Sequence, residues 1–384
     1  MRILTVNYEH PPLGGGAGLI SARIGEQLTV LGHEVTIITT RFGDLPLDSI
    51  EKGVRIIRLD AYRKQPYKSN VFEMLSWIKL TRRFALTYCL ENKPDIIFAH
   101  FALPGGAVAR FLNKKLQIPY VVMSHGHDIP WYFPRQMFFY HLVTWPWIHK
   151  ICRKSVTNFV QTAYMKKNID RFTGHKNAAK NMVVPNGCDT AMFPIVYPDK
   201  ESTLKILYGG RLVAQKDPFT FLKSLLILKN AALSFQAIIT GNGPLLTSMQ
   251  DFAKDNHLAD YIEFTGWQSK EQMPALYAQS HLFVLPSLAE GMSVAVLEAL
   301  CSGLYVITTP VSGNTEMITE GINGKFVSLK NPEALANAIL DFDQERKQEY
   351  PVKKEVVEQF RKMNDWAVVA QNYDEILNKV YRNI

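Results

Sequence analysis

Short apolar runs alternate with longer stretches of helical period along nearly the whole chain. Runs at 2–7, 34–40, 54–59, 95–99, 120–124, 155–161 and 182–184 read as strands, and periodic stretches near 71–91 and 105–115 read as helices. After the first run, Leu19, Ile20, Ile24, Leu28 and Leu31 mark a further helix. The second half repeats the alternation, with strands at 204–208, 281–285 and 305–309, a helix opening near Pro218 and a last helix reaching 382. Strands apolar throughout and separated by helices predict a parallel sheet covered on both faces. Ligands of such sheets sit beyond the carboxyl ends of the strands, so the loops there are where chemistry is expected.

At 384 residues the chain is long enough for two domains, each with its own core. Pro185, Asn186 and Gly187 in succession mark a loop, and the charge changes sign there. Residues 1–187 carry 25 Lys and Arg against 12 Asp and Glu, while the remainder carries 18 against 23. A basic half joined to a mildly acidic one suggests that the first domain faces an anion: nucleic acid, anionic lipid headgroups or a phosphorylated acceptor. Cys89, Cys152, Cys188 and Cys301 form no C-x-x-C pair, which points away from a disulfide framework or a zinc site and toward a reducing cytoplasm. The chain opens directly on a strand pattern, so no signal peptide is expected. No uncharged run reaches the roughly 18 residues of a membrane span.

The loop after the first strand holds Gly14, Gly15, Gly16 and Gly18, which lets backbone approach a phosphate or sugar closely. It is not a dinucleotide fingerprint, because Leu19 stands where the third glycine belongs. The second strand also ends without the acidic residue that would hold an NAD ribose, which disfavours a dehydrogenase. His100 ends one strand, and Ser124-His125-Gly126-His127-Asp128 follows another. His127 and Asp128 alone supply too few ligands for a metal. In the second half Gly209-Gly210-Arg211 and then Lys216 follow a strand; there Arg by a forked contact and Lys as a point charge could hold a diphosphate. Glu290 is expected in a loop and Glu298 about two turns inside the helix that follows. The N–H groups of Gly291, Met292 and Ser293 at that helix start are a seat for phosphate. One carboxylate can then take hydroxyls of one sugar ring while the other takes those of a second. Asp341-Phe342-Asp343 is read as a solvated helix face rather than a metal motif. Residues 131–147 hold eight aromatics just before the basic stretch 149–154, and 62–68 and 79–83 also mix basic and aromatic or apolar residues. They are either core helices or an interfacial face against anionic lipid; Pro134 and Pro146 are expected to break the first of these stretches.

Together these motifs resemble the retaining glycosyltransferases of family 4, group 1, over nearly the whole chain. Glu290 and Glu298 match the family's E-x7-E, Gly209-Gly210-Arg211 with Lys216 its G-R-L-x3-K, and Ser124–Asp128 its H-G-x-D. Pro185–Asp189, Gly241–Leu245, Ser312–Glu316 and Gly321–Gly324 match further turns of the family, and Gly15-Gly16 with 32–35 its first loop and helix. The resemblance implies an α/β fold of two Rossmann-like domains (GT-B) facing across a cleft. It implies a first, acceptor-binding domain over 1–187, completed by a crossing helix at 367–384, and a nucleotide-sugar-binding domain over 188–366. Arg211 and Lys216 would hold the donor diphosphate with Gly210, Gly291, Met292 and Ser293, and Glu298 the ribose. Glu290 would orient the donor sugar, with His125 on its other side and Gly15 and Gly16 closing over it, and Trp267 or Gln268 would meet the base. No metal and no cofactor is implied beyond a UDP- or GDP-sugar co-substrate. The basic, aromatic first domain suggests a lipid-linked or anionic glycan acceptor of surface polysaccharide assembly, no nucleic acid, and a cytoplasmic protein at the inner face of the membrane. Alternatives are an isomerase or phosphorylase of the same fold, or a non-catalytic binder of membrane surfaces.

Overall fold

The computed structural model of the protein describes residues 1–65, 69–130, 132 and 134–382, side chains excepted at 134–137. The chain divides into two compact units, Met1–Asn186 with Trp366–Ile384, and Gly187–Asp365. Both divisions fall one residue before the expected boundaries.

The first unit runs β1 (Arg2–Val6), α1 (Gly16–Val30), β2 (Glu34–Thr40), β3 (Asp48–Glu51), β4 (Val54–Leu59), α2 (Val71–Asn92) and β5 (Ile96–His100). It continues with α3 (Gly106–Leu116), β6 (Tyr120–Met123), α4 (Pro134–Lys154), β7 (Thr157–Val160), α5 (Ala163–Thr173) and β8 (Asn181–Val183). The strands lie in the order β3-β4-β2-β1-β5-β6-β7-β8, parallel throughout except for β3. Every residue of β5, β6 and β7 is buried, as expected of strands covered on both faces. Asn70 and Glu73 start α2 with a reciprocal capping box.

Two features depart from the sequence reading. β3 is an additional strand: Asp-Ser-Ile-Glu has no apolar pattern, because the strand is a largely exposed edge. It is made by the tight turn at Lys52-Gly53, whose φ angles of 47° and 82° fit the twist of a two-residue hairpin. Pro146 does not break α4, which runs on through it. The ring removes one backbone hydrogen bond, and Ile148, Ile151 and Cys152, all buried, hold the following turns in the core.

The second unit runs β9 (Leu204–Gly209), α6 (Pro218–Asn230), β10 (Phe235–Thr240), α7 (Leu246–Asp255), β11 (Ile262–Gly266), α8 (Met273–Ala278) and β12 (Leu282–Leu285). Then come α9 (Val294–Cys301), β13 (Tyr305–Thr308), α10 (Asn314–Met317), β14 (Gly324–Phe326), α11 (Pro332–Gln348) and α12 (Lys354–Asn364). Its parallel sheet has the order β11-β10-β9-β12-β13-β14. The last helix, α13 (Trp366–Arg382), belongs to the first unit. Its Tyr373 ring packs 6.0 Å from Phe98 and 5.1 Å from Phe159, and Asp374 lies 2.6 Å from Nε2 of His33.

Asp343 is not on a solvated helix face. It is buried on α11, 2.7 Å from Arg346, whose guanidinium also donates to the carbonyls of Lys200 and Ser202 just before β9. Asp343 therefore ties α11 to the entry of the sheet, while Asp341 is exposed, as expected, and pairs with Lys325 at 2.9 Å. Arg346→Ala should cost the second unit on the order of 2 kcal/mol, because it leaves Asp343 to Lys347 alone and takes the donor from the Lys200 and Ser202 carbonyls, read as a lower urea midpoint; an unchanged midpoint would show the pair to be dispensable.

Candidate active site

In the second unit the chain order reverses between β9 and β12, the place where an open parallel sheet offers a crevice. β9 pairs with β10 as far as Gly209, but its pairing with β12 stops at Leu207 and Phe283. The two strands thus part toward their carboxyl ends, and the loops leaving them carry Arg211 and Lys216 on one side and Glu290 on the other. Lys216 Nζ lies 2.6 Å from Glu290 Oε1, with both side chains largely buried. Gln215 holds the two loops in register: its carbonyl accepts from Leu288 N at 2.8 Å and its amide donates to the Ala289 carbonyl at 2.7 Å. Tyr208 donates to the Lys216 carbonyl, and Thr309 Oγ1 to the Ser287 carbonyl. A Cβ at Gly313 would stand 2.1 Å from the Gly291 carbonyl, so only glycine lets the loop before α10 approach this closely.

Ser293 caps α9, and Gly291, Met292 and Ser293 enter its positive end, as the sequence indicated. Glu298, one turn into α9 from Ser293, is part-buried and accepts a hydrogen bond from the phenol of Tyr277 at 3.1 Å. Burial pushes its carboxyl up to about 7 against the lowering effect of that phenol. Arg211 is exposed. Gly210, with φ 141°, sits under the approach of Gly241, whose Cβ would meet the Gly210 carbonyl at 1.9 Å. Trp267 and Gln268 follow the edge strand β11; Trp267 is 73% exposed, and Gln268 donates to the Thr265 carbonyl.

In the first unit, Gly15 precedes α1 and Gly16 opens it, at the carboxyl end of β1. His125 follows β6. Its backbone N–H goes to Asp128 Oδ1 at 2.9 Å, and Asp128 Oδ2 accepts from Ala102 N at 2.7 Å. The Asp128 carboxylate is therefore spent on shaping this loop. His127 is fixed through its carbonyl, which accepts from His141 Nε2 at 2.9 Å. The His125 ring touches His100, Gln161 and Phe101. Among the described residues no group of three or more His, Cys, Asp or Glu is placed to hold a metal ion.

The structure thus brings Lys216, Glu290 and residues 291–293 together and sets Glu298 on the same helix. Sequence reading missed Gln215, Tyr277 and Gln161. Gln161 ends a strand run, a signal that could have found it; Gln215 and Tyr277 carry no local signal, because their partners lie 74 and 21 residues away.

A model of Glycosyltransferase Family 4 matches residues 14–192, and one of Glycosyl transferases group 1 matches 194–359. The chain belongs to this family and is a glycosyltransferase. A Bacillus subtilis (strain 168) glycosyltransferase, TuaC, whose name carries a provisional assignment to teichuronic acid biosynthesis, is 26% identical over 373 residues, 90% of each chain. The Escherichia coli UDP-Gal:alpha-D-GlcNAc-diphosphoundecaprenol alpha-1,3-galactosyltransferase is 24% identical over 88% of this chain and 87% of its own. Sucrose-phosphate synthase of Thermosynechococcus elongatus superposes with a TM-score of 0.85 over 100% of both chains at 17% identity, a likeness of fold. That fold is GT-B.

The raised carboxyl of Glu298 sets a pH dependence of stability. Between about 4.5 and 7 the folded state keeps a proton that the unfolded chain releases, so stability falls as pH rises through that window. Glu298→Gln should therefore be more stable than wild type at pH 8, by on the order of 1–2 kcal/mol after allowance for partial exposure, with no advantage at pH 4.5. Thermal melts at the two pH values check this; an equal offset at both would remove the titration as its cause.

Proposed function

We propose that the enzyme moves a hexose from a nucleotide-diphosphate donor to an acceptor hydroxyl, with retention at the anomeric carbon. The observation that carries this reading is the Lys216–Glu290 pair set at the parting of β9 and β12 beside the start of α9. In such a transfer, negative charge builds on the departing diphosphate while the sugar ring becomes cation-like. Arg211, Lys216 and the N–H groups of Gly291, Met292 and Ser293 stabilise the leaving group, the kind of preorganised contact worth about a hundredfold in rate each. Gly210 lets the backbone come close to the same diphosphate. Glu290 orients the donor sugar, Glu298 takes the ribose hydroxyls, and Trp267 or Gln268 meets the base. In the first unit His125 contacts the sugar and the backbone at Gly15 and Gly16 closes on it. The reading needs no cofactor or metal beyond the nucleotide sugar. The UDP-Gal named for the Escherichia coli relative favours UDP over GDP.

The acceptor reading is a lipid-linked or anionic glycan, in keeping with the diphosphoundecaprenol acceptor named for that relative. Its support in this chain is the surface of the first unit. Phe72 on α2 and Phe139 and Val143 on α4 are each about four-fifths exposed, and Leu75, Leu142 and Trp145 are exposed beside them in sequence. Lys79, Arg83, Lys150, Arg153 and Lys154 are exposed on the same two helices. Arg82 is not part of this surface, because its guanidinium donates to the Ala107 carbonyl and lies 5.3 Å from the Phe111 ring. Tyr67, Lys68, Trp131 and Phe133 lie outside the described residues. No described helix is long and apolar enough to cross a membrane. We place the enzyme at the cytoplasmic face of the membrane, which suits its four free, buried cysteines.

Thermal stabilisation by UDP, GDP and ADP, each at about 1 mM, tests the donor site. UDP should raise the midpoint most, and Glu298→Ala should abolish the shift; no shift with any nucleotide would remove the donor assignment. Co-sedimentation tests the surface. Wild type should pellet with phosphatidylglycerol vesicles and not with phosphatidylcholine, and Phe139→Ser with Lys79→Glu and Arg83→Glu should lower pelleting at least about fivefold. Equal pelleting with both lipids, or an unaffected variant, would sink the membrane reading.

A further inference from the structure

Four polar side chains form one hydrogen-bonded series in the first unit, and of these only His125 has a role in the proposed reaction. Gln161, just after β7, sends its amide hydrogens to Asn186 Oδ1 at 3.1 Å and to His125 Nδ1 at 3.2 Å. His125 Nε2 lies 3.1 Å from Nδ1 of His100, the last residue of β5. A neutral imidazole has one N–H and one accepting nitrogen. With Nδ1 of His125 accepting from Gln161, the His125 proton sits on Nε2 and is donated to His100 Nδ1. The His100 proton then sits on its own Nε2, which has no hydrogen-bond partner among the described residues. Burial disfavours the charged form of both rings, and lowers His125 to about 3.

His100 is fully buried, its ring 5.0 Å from Phe98 and 5.3 Å from His125, nearly parallel to both. Leaving one of its nitrogens unsatisfied costs stability that an apolar ring in the same place would not. Among the described residues, the hydrogen bond that the His100 ring makes is with His125. Phe101, 4.8 Å from His125 and tilted by 51°, closes on the ring from another direction.

We propose that His100 is a positioning residue: it accepts the His125 Nε2–H opposite the Gln161 contact on Nδ1, and so pins the plane of the His125 ring in the tautomer that Gln161 sets. This rests on the reading of His125 as the donor-sugar contact. Held in this way, His125 offers the sugar a fixed neutral ring, and it neither gains nor loses a proton during transfer.

Nitrogen NMR of the full chain with 15N-labelled histidine tests the series directly. Wild type should show both rings as Nε2–H tautomers. His100→Phe should fold with a midpoint no lower than wild type, yet leave the His125 Nε2–H without its acceptor, seen as a moved nitrogen signal and faster exchange of that proton with water. His100→Asn, whose Oδ1 takes the place of Nδ1, should restore the acceptor. Hydrolysis of UDP-galactose, UDP-glucose and GDP-mannose supplies the kinetic readout, with kcat down about tenfold and KM little changed in His100→Phe, and recovery in His100→Asn. An Nδ1–H tautomer in wild type overturns the proposal. So does an unchanged His125 signal in His100→Phe, or a loss of rate that follows a loss of midpoint and is not recovered by asparagine. His125→Gln, measured alongside, separates the two ideas: if it turns over donors like wild type, the sugar-contact reading fails whatever the tautomers show.

Discussion

Taking an ammonium and a carboxylate out of water costs several kcal/mol for each ion, and contact between them recovers this only where the geometry is good. Lys216 and Glu290 meet that condition at 2.6 Å, at the point where β9 and β12 stop pairing. The sheet's own hydrogen bonds cannot close that gap, so the ion pair and the two bonds of Gln215 do. Glu290 fixes the loop that leads into α9, and α9 in turn fixes Glu298 and the free end of its own dipole. Loops around the pair are shaped to keep it, down to a glycine at 313 that tolerates contact with the Gly291 carbonyl.

The α/β alternation was legible because buried parallel strands write themselves as apolar runs, and helices between them keep their period. Edge features escaped for the complementary reason. The exposed strand 48–51 has no apolar pattern to read, and Pro146 is overridden by the buried residues that follow it. Asp343 looked like a surface charge because Arg346 and Lys347, which neutralise it, are visible in sequence only as further charges on the same helix. At the candidate site, topology marked the loops at strand ends, and the motifs shared with the family singled out Lys216, Glu290 and His125 within them. Tyr277 and Gln215 could not be, since what they do depends on partners brought near by the fold.

The two units divide the chemistry by charge and by surface. The second sets Arg211 and Lys216 in the loop that leaves its sheet where β9 and β12 part. The first spreads cations along helices that also expose phenylalanine, leucine and tryptophan, and buries its neutral imidazoles where charge would be costly. One arrangement suits a compact anion held in a fixed place, the other a broad and shifting one.

The position of α13 bears on how the chain is made. Residues 187–365 are contiguous and hold everything the second sheet needs, whereas Tyr373 and Asp374 complete the core of the first. On a ribosome the second unit can therefore close while the first, though translated earlier, still lacks α13. The first unit must wait, its apolar strands part-covered, until α13 has been translated, so it stays open to misfolding for longer than the second.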